Sequence, residues 1–265
     1  MTSLMFQAIE SFSPVVLFVC HGESSTGTCH PLEGLGELCH RNGCLLLVDT
    51  VASLGGAPFE ADKLGVDCVY SGSQKVLNAP PGSAPISFSD KAIEKIKSRK
   101  QQVPSFYFDA LEIGNYWGCD QQPRRYHHTA PMCSIYALRE ALATVIREGI
   151  DECIERHLRN SEVLTDALHS IGLSLFVKNP NFRLPCLTTV RVPDDIKWNA
   201  ITADLMMKGI EIGGGLGPTV GKVWRIGTFG VNSNEEKIKF LVTELDRSIK
   251  ASRSSENTSK LRVSK

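Results

Sequence analysis

Apolar positions in the first third of the chain come in short unbroken runs: Pro14–Cys20, Cys44–Val48 and Val66–Tyr70. Each run is of strand length and lacks the polar alternation of a half-exposed sheet, which marks strands buried on both faces. Between them lie segments of helical spacing, residues 4–12 and Glu33–Arg41, and a helix or turn at Glu60–Leu64. This alternation predicts an α/β unit whose mainly parallel sheet is flanked by helices on both faces. Pro85–Phe88 reads as a further strand and Asp90–Lys100 as a charged surface helix. Residues 101–130, with Pro104, Pro123 and the aromatic cluster Phe106-Tyr107-Phe108, carry no period and read as loop. A helical pattern then covers 132–171, interrupted near Gly149. Beyond it, strands at Leu173–Val177, Leu187–Val192, Ile210–Ile212 and Val223–Phe229 alternate with helices at Asn199–Lys208 and Asn234–Ala251, the pattern of a smaller α+β unit. The expected organisation is a large domain over 1–148, a small domain over 149–251, and a tail over 252–265 whose Ser, Lys, Arg and Asn content predicts disorder.

Composition narrows the function classes. The chain carries 29 basic and 29 acidic side chains, so no single-signed field draws in a nucleic acid. Its nine cysteines are odd in number and contain no C-x-x-C pair, which argues against a disulfide framework or structural zinc. The run Val15–Cys20 is too short to cross a membrane, and the first residues lack a signal-type pattern.

The candidate chemistry lies at strand ends. Ser24 follows the first strand, Asp49 closes the second and Lys75 follows the third. In an open parallel sheet ligands sit outside the carboxyl ends of the strands, so one edge gathers a hydroxyl, a carboxylate and an amine. Read one by one, Ser24 is equally a helix cap, Asp49 a turn residue and Lys75 a solvated lysine. Asp49 closes a Leu-Leu-Leu-Val run, however, and a carboxylate beside a dry core needs a partner; a pyridinium nitrogen is one. Arg225 likewise interrupts an apolar strand, where it requires a carboxylate, from a ligand or from a core Asp or Glu.

Asp49-Thr50 followed, 26 residues on, by the Lys75 of Ser71-Gly72-Ser73-Gln74-Lys75 resembles the core of a fold-type-I pyridoxal phosphate (PLP) enzyme. The strings His21-Gly22-Glu23-Ser24-Ser25-Thr26-Gly27, Leu77-Asn78-Ala79-Pro80-Pro81-Gly82 and Arg125-Tyr126-His127-His128-Thr129 narrow this to a resemblance to the class V alanine–glyoxylate / serine–pyruvate aminotransferases. The resemblance runs from about residue 8 to about residue 250. It implies transamination, with alanine or serine as amino donor and glyoxylate or pyruvate as acceptor. Lys75 would join the PLP aldehyde and then move the substrate's α-proton, a contribution of about 10²–10⁴ in rate. Asp49 would hold the proton on the pyridine nitrogen, Ser24 would hydrogen-bond near the ring, and Gln74 would reach the phosphate. Arg225 would fork onto the substrate carboxylate. Tyr126 and Thr129 are similar to residues that reach the phosphate of a neighbouring subunit, which implies a homodimer.

The resemblance also marks departures. Chains of this family begin well upstream, with a glycine-rich phosphate loop and an aromatic residue stacked on the ring, and residues 1–7 carry neither. The alternative expectation is therefore a catalytically impaired form that serves only as a dimer partner. Peroxisomal residence follows from the family; Ser259-Lys260-Leu261 has the form of its targeting tripeptide but is followed by four more residues, so the cytoplasm is the alternative. Several motifs are decoys. Gly213–Lys222 fails the Walker A pattern at Leu216 and Val223, and resembles a substrate-side loop instead. His127 and His128, if extended, point apart, and His30, Cys39 and His40 have no zinc spacing. A desulfurase would need a mobile cysteine before Arg225, and the nearest is Cys186.

Overall fold

The computed structural model describes residues 2–263. Helix α1 (Thr2–Phe12) leads into β1 (Val16–Cys20), and a two-residue pair, β2 (Gly22–Glu23) and β3 (Thr28–Cys29), follows at its carboxyl end. Helix α2 (Leu35–Arg41), β4 (Leu45–Asp49), β5 (Cys68–Tyr70) and β6 (Ile86–Phe88) complete a four-stranded sheet of order β1-β4-β5-β6. The β1–β4 and β4–β5 pairs are parallel, whereas β6 runs antiparallel to β5. The 15 residues between β5 and β6 form no helix, and the chain turns back through a loop, which gives the antiparallel pairing.

Side chains on this sheet alternate. Val19, Leu46 and Val48 point to one face and pack on Ile9 of α1 and Leu35, Leu38 and Cys39 of α2, all buried. Val16 and Phe18 point to the other face and are exposed. The sheet is therefore covered by these helices on one face, against the expectation of two. The open face is the one that carries Asp49, whose register partners are Cys20 and Tyr70.

Helices α3 (Asp90–Lys97), α4 (Ala110–Trp117), α5 (Met132–Glu148) and α6 (Ile150–Ser170) follow. Ser89 caps α3 through its hydroxyl, and Gly149 separates α5 from α6. The rest forms a three-stranded antiparallel sheet of order β7-β9-β8, built from β7 (Leu187–Arg191), β8 (Gly213–Gly214) and β9 (Val223–Gly227). It packs on α6, on α7 (Trp198–Met206) and on α8 (Glu235–Val263). Trp224 is fully buried among Leu164, Leu168, Leu205 and Leu245, and its indole N–H is satisfied by the Trp198 carbonyl at 3.1 Å. Trp224 and Ile226 face the helices, so Arg225 between them faces the other way.

Four expectations change. Residues 101–130 contain a 3-10 turn at Phe106–Phe108 and α4, which Asp109 caps by accepting from the Leu111 N–H at 2.9 Å. Residues 173–177 are not a strand; they meet β7 at one bridge, Leu175 to Val190. The strand expected at Ile210–Ile212 lies instead at Gly213–Gly214. The tail expected to be disordered from Ser252 continues α8 through Val263, because no glycine or proline interrupts the helix after Asn234. Residues 264–265 lie outside the described residues.

Candidate active site

The carboxyl ends of β1, β4 and β5 place Cys20, Asp49 and Tyr70 side by side on the open face. Asp49 accepts from the Tyr70 hydroxyl at 2.7 Å through Oδ2 and from the Val51 N–H at 2.7 Å through Oδ1. Both donors are neutral, and among the described residues no cation pairs with this carboxylate. Burial first, then the bond to Asp49, pushes the Tyr70 phenol up to about 12, so it remains an O–H donor. Burial and then the Asp49 charge likewise push the Cys20 thiol up to about 12. Tyr70 is a site residue that sequence reasoning missed. Its signal was present: a tyrosine closing the strand beside Asp49, at the same register.

The loop after β1 is held from both sides. Its β2–β3 pair is closed by Glu23, whose Oε1 accepts from the Ser25 N–H at 2.7 Å and the Ser25 hydroxyl at 2.6 Å. These hydrogen bonds, chiefly the one from the Ser25 hydroxyl, hold the Glu23 carboxyl below its ordinary range despite burial. The Thr26 carbonyl accepts from the Thr189 hydroxyl at 2.6 Å, and the Gly27 carbonyl from the Leu184 N–H at 2.9 Å. Ser24 contributes its backbone: the Ser24 carbonyl accepts from Arg225 Nη1 at 3.2 Å. Behind the loop lies His21, buried, with Nδ1 2.8 Å from the Ser53 hydroxyl and Nε2 3.4 Å from Cys29 Sγ. Burial lowers its imidazole to about 4.

Arg225 itself donates Nε to the Gly214 carbonyl at 2.7 Å. Its guanidinium is thus fixed by two carbonyl oxygens and forms no salt bridge among the described residues; the Glu23 carboxylate feels its charge without pairing with it. The Gly-Gly strand β8 makes this possible. A Cβ on Gly214 would come within 2.6 Å of the Trp198 ring, and one on Gly213 within 3.3 Å of Arg225 Nη2. In the string that mimicked a phosphate loop, Arg225 and Trp198 crowd Gly213 and Gly214, the Thr219 backbone crowds Gly215, and Gly217 and Gly221 adopt positive φ.

Lys75 projects from a loop that closes on itself. The Ser73 hydroxyl donates to the Pro80 carbonyl at 2.7 Å, the Ala79 N–H to the Ser73 carbonyl at 2.9 Å and the Asn78 N–H to the Lys75 carbonyl at 3.0 Å. Lys75 is half-buried and makes no ion pair among the described residues; its Nζ lies 5.4 Å from the centroid of the Phe229 ring. Gln74 beside it is exposed.

Tyr126 and Thr129 stand apart. Their hydroxyls are 2.8 Å from each other and the Tyr126 side chain is exposed, on a segment that makes no described contact with Lys75, Asp49 or Arg225. The neighbouring histidines do not point apart: His127 Nδ1 and His128 Nδ1 are 2.8 Å from each other. The Phe106 carbonyl, an obligate acceptor 3.0 Å from His127 Nε2, fixes the proton there, so a neutral His127 accepts from the Nδ1–H of His128. His30 and His40 serve the scaffold, through the Cys20 carbonyl and the Asp67 carboxylate. Cys186 is buried, donates to the Ala52 carbonyl at 2.9 Å and is pushed up by burial, which leaves it neither mobile nor ionised. Among the described residues no group of three or more His, Cys, Asp or Glu is placed to hold a metal, and no helix is long and apolar enough to cross a membrane.

This donor set fits PLP. A carboxylate fixed by neutral donors can hold a ring N–H⁺, an amine free of acidic partners can meet an aldehyde, and a guanidinium held by carbonyls keeps N–H groups for a carboxylate. The comparisons agree. The family model for class-V aminotransferases matches residues 3–241. Over 240 residues the chain is 52% identical to the alanine–glyoxylate aminotransferase of Oryctolagus cuniculus, covering 90% of this chain and 61% of that one. It is 32% identical over 261 residues to the (S)-ureidoglycine–glyoxylate transaminase of Bacillus subtilis (strain 168), covering 91% of this chain and 62% of that protein. The solved structure of an alanine–glyoxylate aminotransferase from Nostoc sp. superposes with a TM-score of 0.90 at 46% identity, covering 94% of this chain and 65% of that one. The chain thus spans about six-tenths of the length of the curated relatives it matches. With a match of this extent and these residues at the strand ends, the chain belongs to the class-V aminotransferase family, and PLP is the cofactor that membership implies.

Proposed function

We propose that the protein transfers an amino group from alanine or serine to glyoxylate or pyruvate. One observation carries this reading: Asp49 and Arg225 are opposite charges, each fixed by neutral partners and neither engaged in an ion pair among the described residues. Charges held in this way await charged partners on ligands, since leaving them unpaired away from water is costly. When bound, PLP supplies an aldehyde that takes up the amino group and a protonated ring that draws electrons from the α-carbon. Asp49 keeps the proton on the ring nitrogen, and the Tyr70 hydroxyl and Val51 N–H hold its carboxylate in place for that task. Lys75 would hold the cofactor at rest, and its Nζ would take the α-proton and return it. Arg225 binds the α-carboxylate, with the Gly214 and Ser24 carbonyls orienting the guanidinium. Gln74 would reach the phosphate, and Ser24 would lie near the ring.

The reading extends to a homodimer in which Tyr126 and Thr129 serve the partner's phosphate. The exposure of Tyr126 and of Met132, Tyr136 and Ile146 on α5 supports it. Peroxisomal residence, with the cytoplasm as alternative, is the family habit. No observation favours the reading of a subunit that only partners another.

The test is titration of the purified chain with PLP. A visible absorption band forms, changes when alanine is added, and is lost in Lys75→Ala along with about 10²–10⁴ of the transamination rate. A chain that forms no band, or a Lys75→Ala variant that keeps the wild-type band, overturns the assignment.

A further inference from the structure

The Lys75 ammonium lies 5.4 Å from the centroid of an aromatic ring on the second sheet unit, and the backbone turn that follows that ring is held by side chains from other elements. Phe229 follows β9 and enters a 3-10 turn, Gly230–Asn232. The side chains of Asn78, His157 and Arg156 fasten this turn. The Val231 N–H donates to Asn78 Oδ1 at 2.6 Å. The Gly230 N–H donates to His157 Nε2 at 3.0 Å. Arg156 Nη1 donates to the Gly230 carbonyl at 2.8 Å and to the Ser233 carbonyl at 2.9 Å. Arg156 is in turn held by Glu148 through paired contacts of 2.5 and 3.0 Å. His157 Nδ1 lies 2.7 Å from the Cys153 carbonyl, an obligate acceptor, so the ring carries its proton on Nδ1 and accepts at Nε2. Asn78 belongs to the Lys75 loop and adopts a left-handed conformation, φ 56°, which asparagine tolerates better than most residues. Gly230, at φ 54°, brings its Cα so near Asn78 Oδ1 that a side chain there has no room. The Lys75 loop and the Phe229 turn are thus locked together, and the lock sets the ring against the amine.

We propose that Phe229 is a positioning residue for Lys75: its ring face holds the amine when it is not joined to the cofactor, and Asn78 locks the turn that carries the ring. The idea rests on the role proposed above for Lys75. In that role the amine must stay close and ordered while it is free, and no acidic side chain pairs with it among the described residues. The groups around it are the Phe229 ring and the buried Cys186 thiol, which is sensitive to the Lys75 charge. An aromatic face 5.4 Å from Nζ is within the range of a cation–π contact and restrains a lysine without a counter-ion that would compete for the substrate's ammonium or carboxylate.

The test reads the amine directly, without cofactor. The full chain is acetylated with acetic anhydride over a range of pH, and the rate at Lys75 is followed by mass spectrometry of its peptide. Phe229→Leu moves the midpoint of the pH–rate profile down by about 0.3–0.7 pH units, because the charged form loses its partner; this is about a two- to fivefold gain in uncharged amine at fixed pH. Phe229→Tyr, which keeps the ring face, restores the wild-type midpoint. Easier access alone raises the rate at every pH and leaves the midpoint where it was, and that result overturns the proposal. Asn78→Gly, which keeps the left-handed backbone and removes the lock, moves the midpoint in the same direction and serves where Phe229→Leu does not fold. A midpoint that moves in a chain that forms no visible band with PLP upholds the contact and refutes the transaminase reading; a normal band with an unmoved midpoint does the reverse.

Discussion

Two carboxylates serve the same sheet at opposite ends, and they are treated differently. Asp67 precedes β5 at the amino end, is 2% exposed, and accepts from the Leu46 N–H at 2.9 Å, the Ser89 hydroxyl at 2.9 Å and His40 Nε2 at 2.8 Å. Burial would raise its titration, but these bonds prevail and hold it below the usual carboxylate range. His40 is itself bonded through Nδ1 to Lys91 at 3.2 Å, so the charge is answered within the fold. Asp49 closes β4 at the carboxyl end, half-buried, with two neutral donors and no cation among the described residues. A saturated carboxylate is a staple; a fixed but unanswered one is a binding group. The difference lies in what each carboxylate still lacks, since both lie next to strand backbone.

Exchanging the two roles by mutation is the sharpest way to break that contrast. Asp49→Asn keeps the size and the Tyr70 contact but removes the charge proposed to hold a ring proton. Transamination falls by about 10²–10³, while stability changes by less than about 1 kcal/mol. Steady-state kinetics and urea unfolding on the same preparation check both halves. Asp67→Ala does the opposite. It strands the Leu46 N–H and the His40 ring, and costs about 3–5 kcal/mol, read as a lower urea midpoint at unchanged slope. If Asp49→Asn unfolds the protein as readily as Asp67→Ala, Asp49 is a staple too and the site reading fails.

The same contrast explains what was legible in the sequence. The strand runs around Leu45–Asp49 and Val16–Cys20 were plain because buried strands are continuous apolar segments, and the polar residues that end them stand out against it. Asp49 stood out as a candidate for that reason, whereas Lys75, five residues past the end of β5, stood out through the Ser71–Lys75 string. Arg225 was found as a charge in an apolar strand, but the carbonyls that hold it come from Ser24 and Gly214, 201 and 11 residues away, and no local pattern reports such partners. Ser24 shows the limit clearly: its position was right for the loop, yet its carbonyl makes the contact with Arg225. The apolar pattern alone does not report the open face of the sheet, because Val16 and Phe18 are as apolar as the residues on the covered face, and a run of apolar residues does not say how many faces are covered. Helix α4 escaped because its eight residues include Gly114 and Asn115, which weaken any helical period. Asn115 is buried there to serve the Arg125 N–H at 2.9 Å, a long-range duty that composition does not announce.

The histidines offer the smallest test of the two ends. His40 faces Asp67, whereas His21, at the Asp49 end, faces the Ser53 hydroxyl, the Cys29 thiol and the Phe59 ring, and its N–H bonds to the Asp49 carbonyl at 2.9 Å. Burial lowers the His21 imidazole from 6.5 to about 4. Between those values the unfolded chain binds a proton that the folded chain refuses. The stability tied to His21 is therefore complete above about pH 6.5 and declines as pH falls toward 4, by about 1.4 kcal/mol per pH unit. His157, also lowered chiefly by burial, adds a slope of the same sign, so the wild-type dependence is a sum. His21→Asn isolates one share of it. The variant is less stable at pH 7 because it loses packing, but its loss between pH 6.5 and 5 is smaller than that of the wild type by up to about 1.4 kcal/mol per unit. Urea midpoints at several pH values decide it. An unchanged slope in His21→Asn means that His21 is protonated in the fold, and the dry backing of the Asp49 strand end is then not what keeps that edge in place.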